Sequence, residues 1–268
     1  VDGLKTSARK TLDGAMQFQK QSMRVSQLAG LISQKMAYHH GEASLIGVII
    51  NFAQDYTTAN NLPLLTAEGQ FGSRLVAGGK DHAAPRYIFT QLREHTWKVF
   101  PKADLHHVDR VTDDGEVVEP LRFAPVIPFV LVNGSIGITV GHRVEVHPRH
   151  PADIIAGVRA MIAHKGDAAA ALAGLTFRRH FTGSLGSVVD DGKSMTAFGA
   201  VTIESMTDTE VKLRVVDLQQ GVSAEKFRGQ LAQLNSEGTV KSYFEYSTTE
   251  AMDFDVTVTR EIYDGYWK

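Results

Sequence analysis

Residues 78–89 read GGKDHAAPRYIF, and within them Arg86 and Tyr87 are side chains whose types could carry out a group transfer. A phenol becomes a good nucleophile on losing its proton, which an unassisted phenol does only near pH ~10. Attack on a phosphodiester would also need a cation for the phosphoryl oxygens, donors on flanking phosphates and, in most such reactions, a metal ion. Arg86 adjoins the tyrosine and Lys80 lies in the same segment. A plainer reading has Tyr87 begin a helix while Ile88 and Phe89 fill a core. The dipeptide alone does not choose between the two.

Three further groups bear on chemistry. YHHGE, residues 38–42, falls where a helix should begin, and imidazoles beside the unpaired N–H groups of a helix start can donate to phosphate. His39 or His40 could hold a DNA backbone oxygen there, or the two could be a surface pair; adjacent histidines share no helix face and make poor zinc ligands. In GSIGITVGHR, residues 134–143, small residues would let the backbone approach DNA, and an exposed Ile138 could wedge between base pairs, or Ile138 could belong to a core strand. Asp253 and Asp255 in DFD would share one strand face, which suits Mg²⁺, although DVTVT continues an ordinary solvated strand pattern.

The elements that must position these groups follow from periodicity. Val25, Leu28, Ala29, Ile32 and Met36 recur at helical spacing, HHGE breaks the pattern, and Ala43 to Ala53 forms a second helix ending near Tyr56. Two helices joined by a short turn are the skeleton of a helix-turn-helix. NNLPLLTAEGQFGSRLVAGGK, residues 60–80, predicts loop with short strands, where a wing would sit. Ile88, Leu92, His95 and Val99 predict a helix over 84–100, closed by Pro101. FAPVIPFVLVNGSIGITVGHRVEVHP, from residue 123, reads as β structure with turns at Asn133–Gly134 and Gly141. Residues 151–174 read as helical from Pro151, and runs such as KLRVV and DFDVTVT make residues 176–260 mostly strand. The fold class expected is α+β, a mainly helical first domain followed by a mixed α/β second one, with a boundary near Leu121.

Composition sets the limits. At 268 residues and 43% hydrophobic the chain can bury a real core. The absence of cysteine removes disulfides, thiolate zinc sites and cysteine nucleophiles, and fits a reducing compartment. The longest apolar run, FAPVIPFVLV, is far short of the ~20 residues of a membrane helix, and VDGLKTSARK is no signal peptide, so a cytoplasmic or nuclear protein is expected. The net charge of −2 conceals a gradient: residues 1–100 carry 11 Lys and Arg against 7 Asp and Glu, residues 201–268 carry 7 against 12. A polyanion would bind the first part.

Taken together and in order, DGLKTSARK, QLAG, YHHGEASL, NFAQDY, NNLPLL, GQFGSR, GGKDHAAPRYIF, VEP and PVIPFVLVNGSIGI resemble the cleavage region of type IIA DNA topoisomerases. YHHGE and PRYIF are closer to the eukaryotic and T-even phage branch than to bacterial gyrase, and a phage cleavage subunit is the preferred source. The resemblance implies that residues 1–121 form a winged-helix domain and 122–268 a tower domain. It implies that Tyr87 is the nucleophile, joined to the 5′ side of each cut strand, and that Arg86 stabilises the phosphoryl transition state. Arg9, His39, His40 and Lys80 match positions that grip phosphates, and Ile138 matches the isoleucine that intercalates and bends the DNA. Thr6 and Ala8 depart from the family's usual proline and polar residue, and GITVGH replaces the commoner GIGTGW.

The same resemblance implies double-stranded DNA and a second copy of this chain as partners, and a double-strand break used for ATP-driven passage of another duplex. The chain shows neither GxxxxGK[ST] nor a convincing acidic triad. Mg²⁺ and ATP are therefore expected on a toprim and ATPase domain or subunit outside this chain, and no exit-gate coiled coil is expected within it. The alternatives are a winged-helix architectural protein that bends DNA without cutting, and a tyrosine recombinase, which would attach to 3′ ends.

Overall fold

Helix α1 (Thr6–Phe18) buries charge as well as hydrocarbon, because Lys10, Thr11, Asp13 and Gly14 lie on the same inward stretch as Leu12, Ala15 and Met16. Isolated charges there would be prohibitively desolvated, so each has a partner. Asp13, fully buried, receives two bonds from the Arg110 guanidinium at 2.8 and 3.1 Å. Lys10 Nζ donates to Met36 O at 2.7 Å and pairs with Glu119 at 2.8 Å. Arg110 and Glu119 belong to a hairpin, β3 (Arg110–Asp113) and β4 (Glu116–Pro120), whose Asp114 and Gly115 both have positive φ, as a tight two-residue turn requires. The charges thereby fix the hairpin against α1.

The computed structural model describes residues 2–190 and 195–266 of this mixed α+β chain, which divides into two units. One comprises the chain up to Asp55 with Ala59–Phe71 and Ala83–Thr182. Its helical centre is α1 with α2 (Val25–Lys35) and α3 (Glu42–Ala53), the two helices read from the sequence. Val25, Leu28, Ala29 and Ile32 of α2 meet Leu45, Ile49, Ile50 and Ala53 of α3 in one apolar cluster. A Cβ on Gly14 would lie 2.9 Å from Ile32 Cγ1, so glycine is what lets α1 approach α2. Between α2 and α3 the chain reverses through Ala37 at φ 44°.

The helix predicted over 84–100 is present only as α4 (Glu94–Val99). Residues 89–90 instead form β2 (Phe89–Thr90), antiparallel to β1 (Met23–Arg24), and Phe89 exchanges backbone bonds with Glu68 at 3.0 and 3.1 Å. The apolar spacing suits a helix, but these tertiary partners take the backbone groups a helix would use. A second correction concerns FAPVIPFVLV: Phe129–Asn133 is the short helix α5, and β structure begins only at β5 (Ser135–Thr139), paired with β6 (His142–Val146). Phe129 and Val132 join Phe100 and Phe123 in a second apolar cluster. Helices α6 (Pro151–Ala163) and α7 (Ala168–Leu172) follow, broken at Lys165 and Gly166, both with positive φ.

The other unit comprises Tyr56–Thr58, Gly72–His82 and the chain from Gly183. A hairpin of β7 (Ser187–Asp190) and β8 (Met195–Phe198) precedes a four-stranded antiparallel sheet built from β9 (Ala200–Met206), β10 (Glu210–Asp217), β11 (Val240–Glu245) and β12 (Phe254–Thr259), in the order β11-β12-β10-β9. Alternate residues of β10, Val211, Leu213 and Val215, are buried. Helix α8 (Ala224–Ser236), capped by Ser223, packs on this sheet, and α9 (Arg260–Tyr266) closes the described chain. Helix α8 interrupts the region read as mostly strand. On the other face of the sheet Arg214 bonds Asp253 and Asp255, and Lys212 bonds Asp255 at 3.0 Å. The DFD carboxylates thus serve an ion-pair network, with Asp255 buried rather than solvated.

Arg110→Ala leaves the buried Asp13 carboxylate with a hydrogen bond from Gln17 Nε2 at 2.7 Å but no countercharge, which costs about 3–5 kcal/mol for pairs of this kind. Urea unfolding followed by circular dichroism should show a loss of that order, and a loss below about 1 kcal/mol would contradict the role given to the pair.

Candidate nucleic-acid interface

Tyr87 is two-thirds exposed, yet the chain that carries it is tightly held. Its N–H donates to Ala84 O at 2.9 Å, closing a turn. Pro85 O accepts from Ser26 N at 3.2 Å and Ile88 O from Val25 N at 3.0 Å, so the first two residues of α2 clasp the segment. The Ile88 side chain is buried in the α2–α3 cluster. A Cβ on Gly69, where φ is +111°, would meet Ile88 Cγ2 at 2.9 Å, so the loop before the tyrosine passes close over that anchor. The Arg86 guanidinium lies 4.9 Å from the centre of the Tyr87 ring. A phenol and a guanidinium are therefore displayed side by side.

A second arrangement forms around His39 and His40. They line an open groove with Lys5, Ser7, Lys10 and Ser44, so the first turns of both α1 and α3 face it. Neither helix start is capped by a side-chain hydrogen bond, although at α3 the Ser44 N–H donates to Gly41 O at 3.0 Å. His40 stands edge-on to Tyr38 at 5.5 Å, and Tyr38 OH donates to Ser44 Oγ at 3.1 Å. His39 Nε2 is 3.3 Å from Asp113 Oδ1, and this hydrogen bond, opposed by burial and aided by Lys10, keeps the Asp113 carboxyl below the usual carboxylate range. Lys5, Lys10 and the start of α1 escaped the residue-level reading, though DGLKTSARK contains them.

Of the other residues named from the sequence, Arg9 is engaged by Asp2, with Nε and Nη2 at 2.9 and 3.1 Å from the two carboxylate oxygens. Lys80 is exposed after the short turn Ala77–Gly79. Ile138 is 80% exposed in β5, opposite Arg143 of β6. Among the described residues, one group of three side chains could hold a metal ion: His39, Asp113 and Asp114. Mg²⁺ favours oxygen ligands, and Lys10 Nζ stands 3.4 Å from Asp113, so this trio does not fit Mg²⁺.

A family model describing the A-type subunit of DNA gyrase/topoisomerase IV matches residues 1–266. The chain belongs to that family. DNA topoisomerase 2 of Trypanosoma cruzi is 39% identical over 262 residues, covering 97% of this chain and 20% of that protein. DNA topoisomerase 2 of Acanthamoeba polyphaga mimivirus is 34% identical over 244 residues, 90% of this chain and 18% of that protein. The fold is similar to the crystal structure of the Plasmodium falciparum topoisomerase II DNA-binding, cleavage and re-ligation domain, with a TM-score of 0.88 and 29% identity over 98% of this chain and 35% of that one. The chain is homologous to the DNA breakage and reunion region of type II topoisomerases, and it spans about a fifth of the length of the curated relatives. Among the described residues no helix is long and apolar enough to cross a membrane.

The Asp2 latch gives a pH signature. Burial pushes the Asp2 carboxyl up, but bonds from Arg9, Phe123 N–H and Leu4 N–H more than offset this and its pKa is lowered. A depressed folded value contributes stability that is complete above the unfolded value, about 3.9, and is lost as pH falls through the folded one. Asp2→Asn should therefore destabilise the chain by about 1–3 kcal/mol near neutral pH. In urea titrations the gap from wild type should shrink below pH ~4; a gap constant with pH would refute the latch.

Proposed function

We propose that this chain is the DNA-cleavage part of a type IIA topoisomerase, with Tyr87 as the attacking group. The observation that carries the reading is the exposed Tyr87 phenol beside Arg86 on a backbone held by the start of α2. Residues 1–121 act as the winged-helix domain and 122–268 as the tower. The Tyr87 oxygen attacks a phosphodiester phosphorus, a phosphotyrosyl bond forms to the 5′ side, and the 3′ oxygen departs. Arg86 meets the charge gathering on the phosphoryl oxygens. One phosphate ester replaces another, so the step is nearly balanced in energy and the 3′ hydroxyl can reverse it.

His39 and His40 with Lys5 and the starts of α1 and α3 hold backbone phosphates, joined by Lys80 and by Arg9 as oriented by Asp2. The tyrosine segment binds the first residues of α2, while the histidines follow its last turn. Eleven residues of helix are about 16 Å long, several nucleotides of duplex, so the histidines meet phosphates other than the one attacked. Ile138, exposed on its hairpin, enters the base stack and bends the duplex. Two copies related by a twofold axis each cut one strand. Mg²⁺ supplies further charge at the phosphate from a toprim domain or subunit outside these residues, and ATP is hydrolysed by another, so that a second duplex passes. The protein works wherever the genome it serves is handled, in the cytoplasm of a bacterial host or in a nucleus.

Duplex DNA incubated with this chain, Mg²⁺ and the toprim-bearing partner, then quenched with denaturant, should yield protein attached to 5′ ends. Tyr87→Phe should abolish the adduct, and Arg86→Ala should lower its rate by about 10²–10³-fold, as for loss of one oxyanion donor. Adduct from Tyr87→Phe equal to wild type, or attachment to 3′ ends, would sink the assignment. Ile138→Ala should leave binding largely intact and reduce the bend measured by end-to-end energy transfer; an unchanged bend removes the wedge.

A further inference from the structure

We propose that Arg149, Arg179 and His147 form a further phosphate site that holds the backbone of duplex DNA, outside the groove lined by His39 and His40. Arg149 and Arg179 face each other across an antiparallel bridge, the arrangement in which like charges are directly opposed and destabilising. His147 lies two residues before Arg149. Burial, followed by Arg179, pushes the His147 imidazole down, with Glu145 partly opposing and Arg149 adding to the effect. Burial likewise lowers the Arg179 guanidinium, with Glu145 opposing and Arg149 adding a smaller effect in the same direction as burial.

The nearby carboxylates answer these positive charges only in part, because one of them, Glu145, faces both Arg179 and His147. Asp153 is taken by Arg178, whose Nε and Nη2 lie 2.9 and 2.6 Å from its two oxygens, and whose backbone N–H donates at 3.0 Å. Glu145 is shared, at 2.7 Å from Arg143 and 3.5 Å from His147. Arg149 spends one nitrogen on Phe177 O at 2.8 Å, which aims the rest of its fork. Arg179 stacks 5.6 Å from the centre of the Phe181 ring, and its buried Nε has no hydrogen-bond partner. Two oriented forks and an imidazole, with one shared carboxylate among them, suit an anion with several oxygens. Resting on the reading of this chain as a DNA-cleaving region, the anion is a phosphodiester of the duplex.

The test is anisotropy titration of labelled duplex DNA across a salt series, in a Tyr87→Phe background that binds without cutting. Arg149→Gln and Arg179→Gln should each make the slope of log affinity against log salt shallower by about one, as for removal of one phosphate contact. Arg179→Lys, which keeps the charge, should preserve the slope. Without DNA, Arg179→Gln should be at least as stable to urea as its parent, because a partly desolvated cation with an unpartnered Nε is removed; marked destabilisation would assign Arg179 a structural role and overturn the site. Unchanged slopes in both glutamine variants would also overturn it while leaving the Tyr87 assignment standing. Absence of salt-dependent duplex binding by the parent would overturn both.

Discussion

Two backbone hydrogen bonds, from Val25 and Ser26 at the start of α2 to the carbonyls of Ile88 and Pro85, set the terms for the rest of the chemistry. A helix start has N–H groups with no partner inside the helix, and they must be satisfied by something. Here the tyrosine-bearing segment satisfies two of them, so the same bonds that complete α2 position the segment. Ile88 points into the core and Tyr87 points out, a consequence of extended backbone in which neighbouring side chains take opposite sides. An exposed phenol would ordinarily ride on a mobile loop; this one is pinned from beneath by a buried neighbour.

The charges of the first unit divide by what surrounds them. Asp13 with Arg110, Glu119 with Lys10 and Asp2 with Arg9 are paired with at least one partner buried, and they fix the hairpin and the first residues against α1. Such pairs recover little net energy after desolvation, but they demand one geometry. That geometry matters because Lys10 also lines the groove at His39, and Asp113 of the hairpin bonds His39 directly. Scaffold and groove share residues, so the hairpin orients the histidine as well as packing against α1.

The sequence disclosed the motifs better than the elements that carry them. The apolar periods of α2 and α3 were legible because their inward faces are wholly hydrocarbon. Helix α1 was not read, since Lys10 and Asp13 interrupt its inward face and only their distant partners make them acceptable there. The segment 84–100 had helical spacing, but the bonds of Phe89 to Glu68 and of Ile88 to Val25 are tertiary and leave no local trace. Helix α8 did leave one: Ser223 as cap, then Ala224, Phe227, Leu231 and Leu234 at helical intervals, masked by the strand-like runs on either side. Among the site residues, Tyr87, Ile138 and the histidine pair were named from motifs, and the exposure of all four shows that none is spent on the core.

Arg149 and Arg179 show why summed charge is a weak guide to binding. They fall in residues 101–200, where 10 Lys and Arg meet 11 Asp and Glu, a stretch that looks neutral. What an anion experiences is the local remainder after pairing. Asp153 is engaged by Arg178 through three bonds, although Arg178 and Arg179 are adjacent in sequence. Strand alternation is what separates them: one arginine turns toward the carboxylate and the next turns away, onto Phe181 and across from Arg149. A balanced composition can thus resolve into one neutralised side and one side that retains its positive charge, and the bridge register decides which residues lie on each.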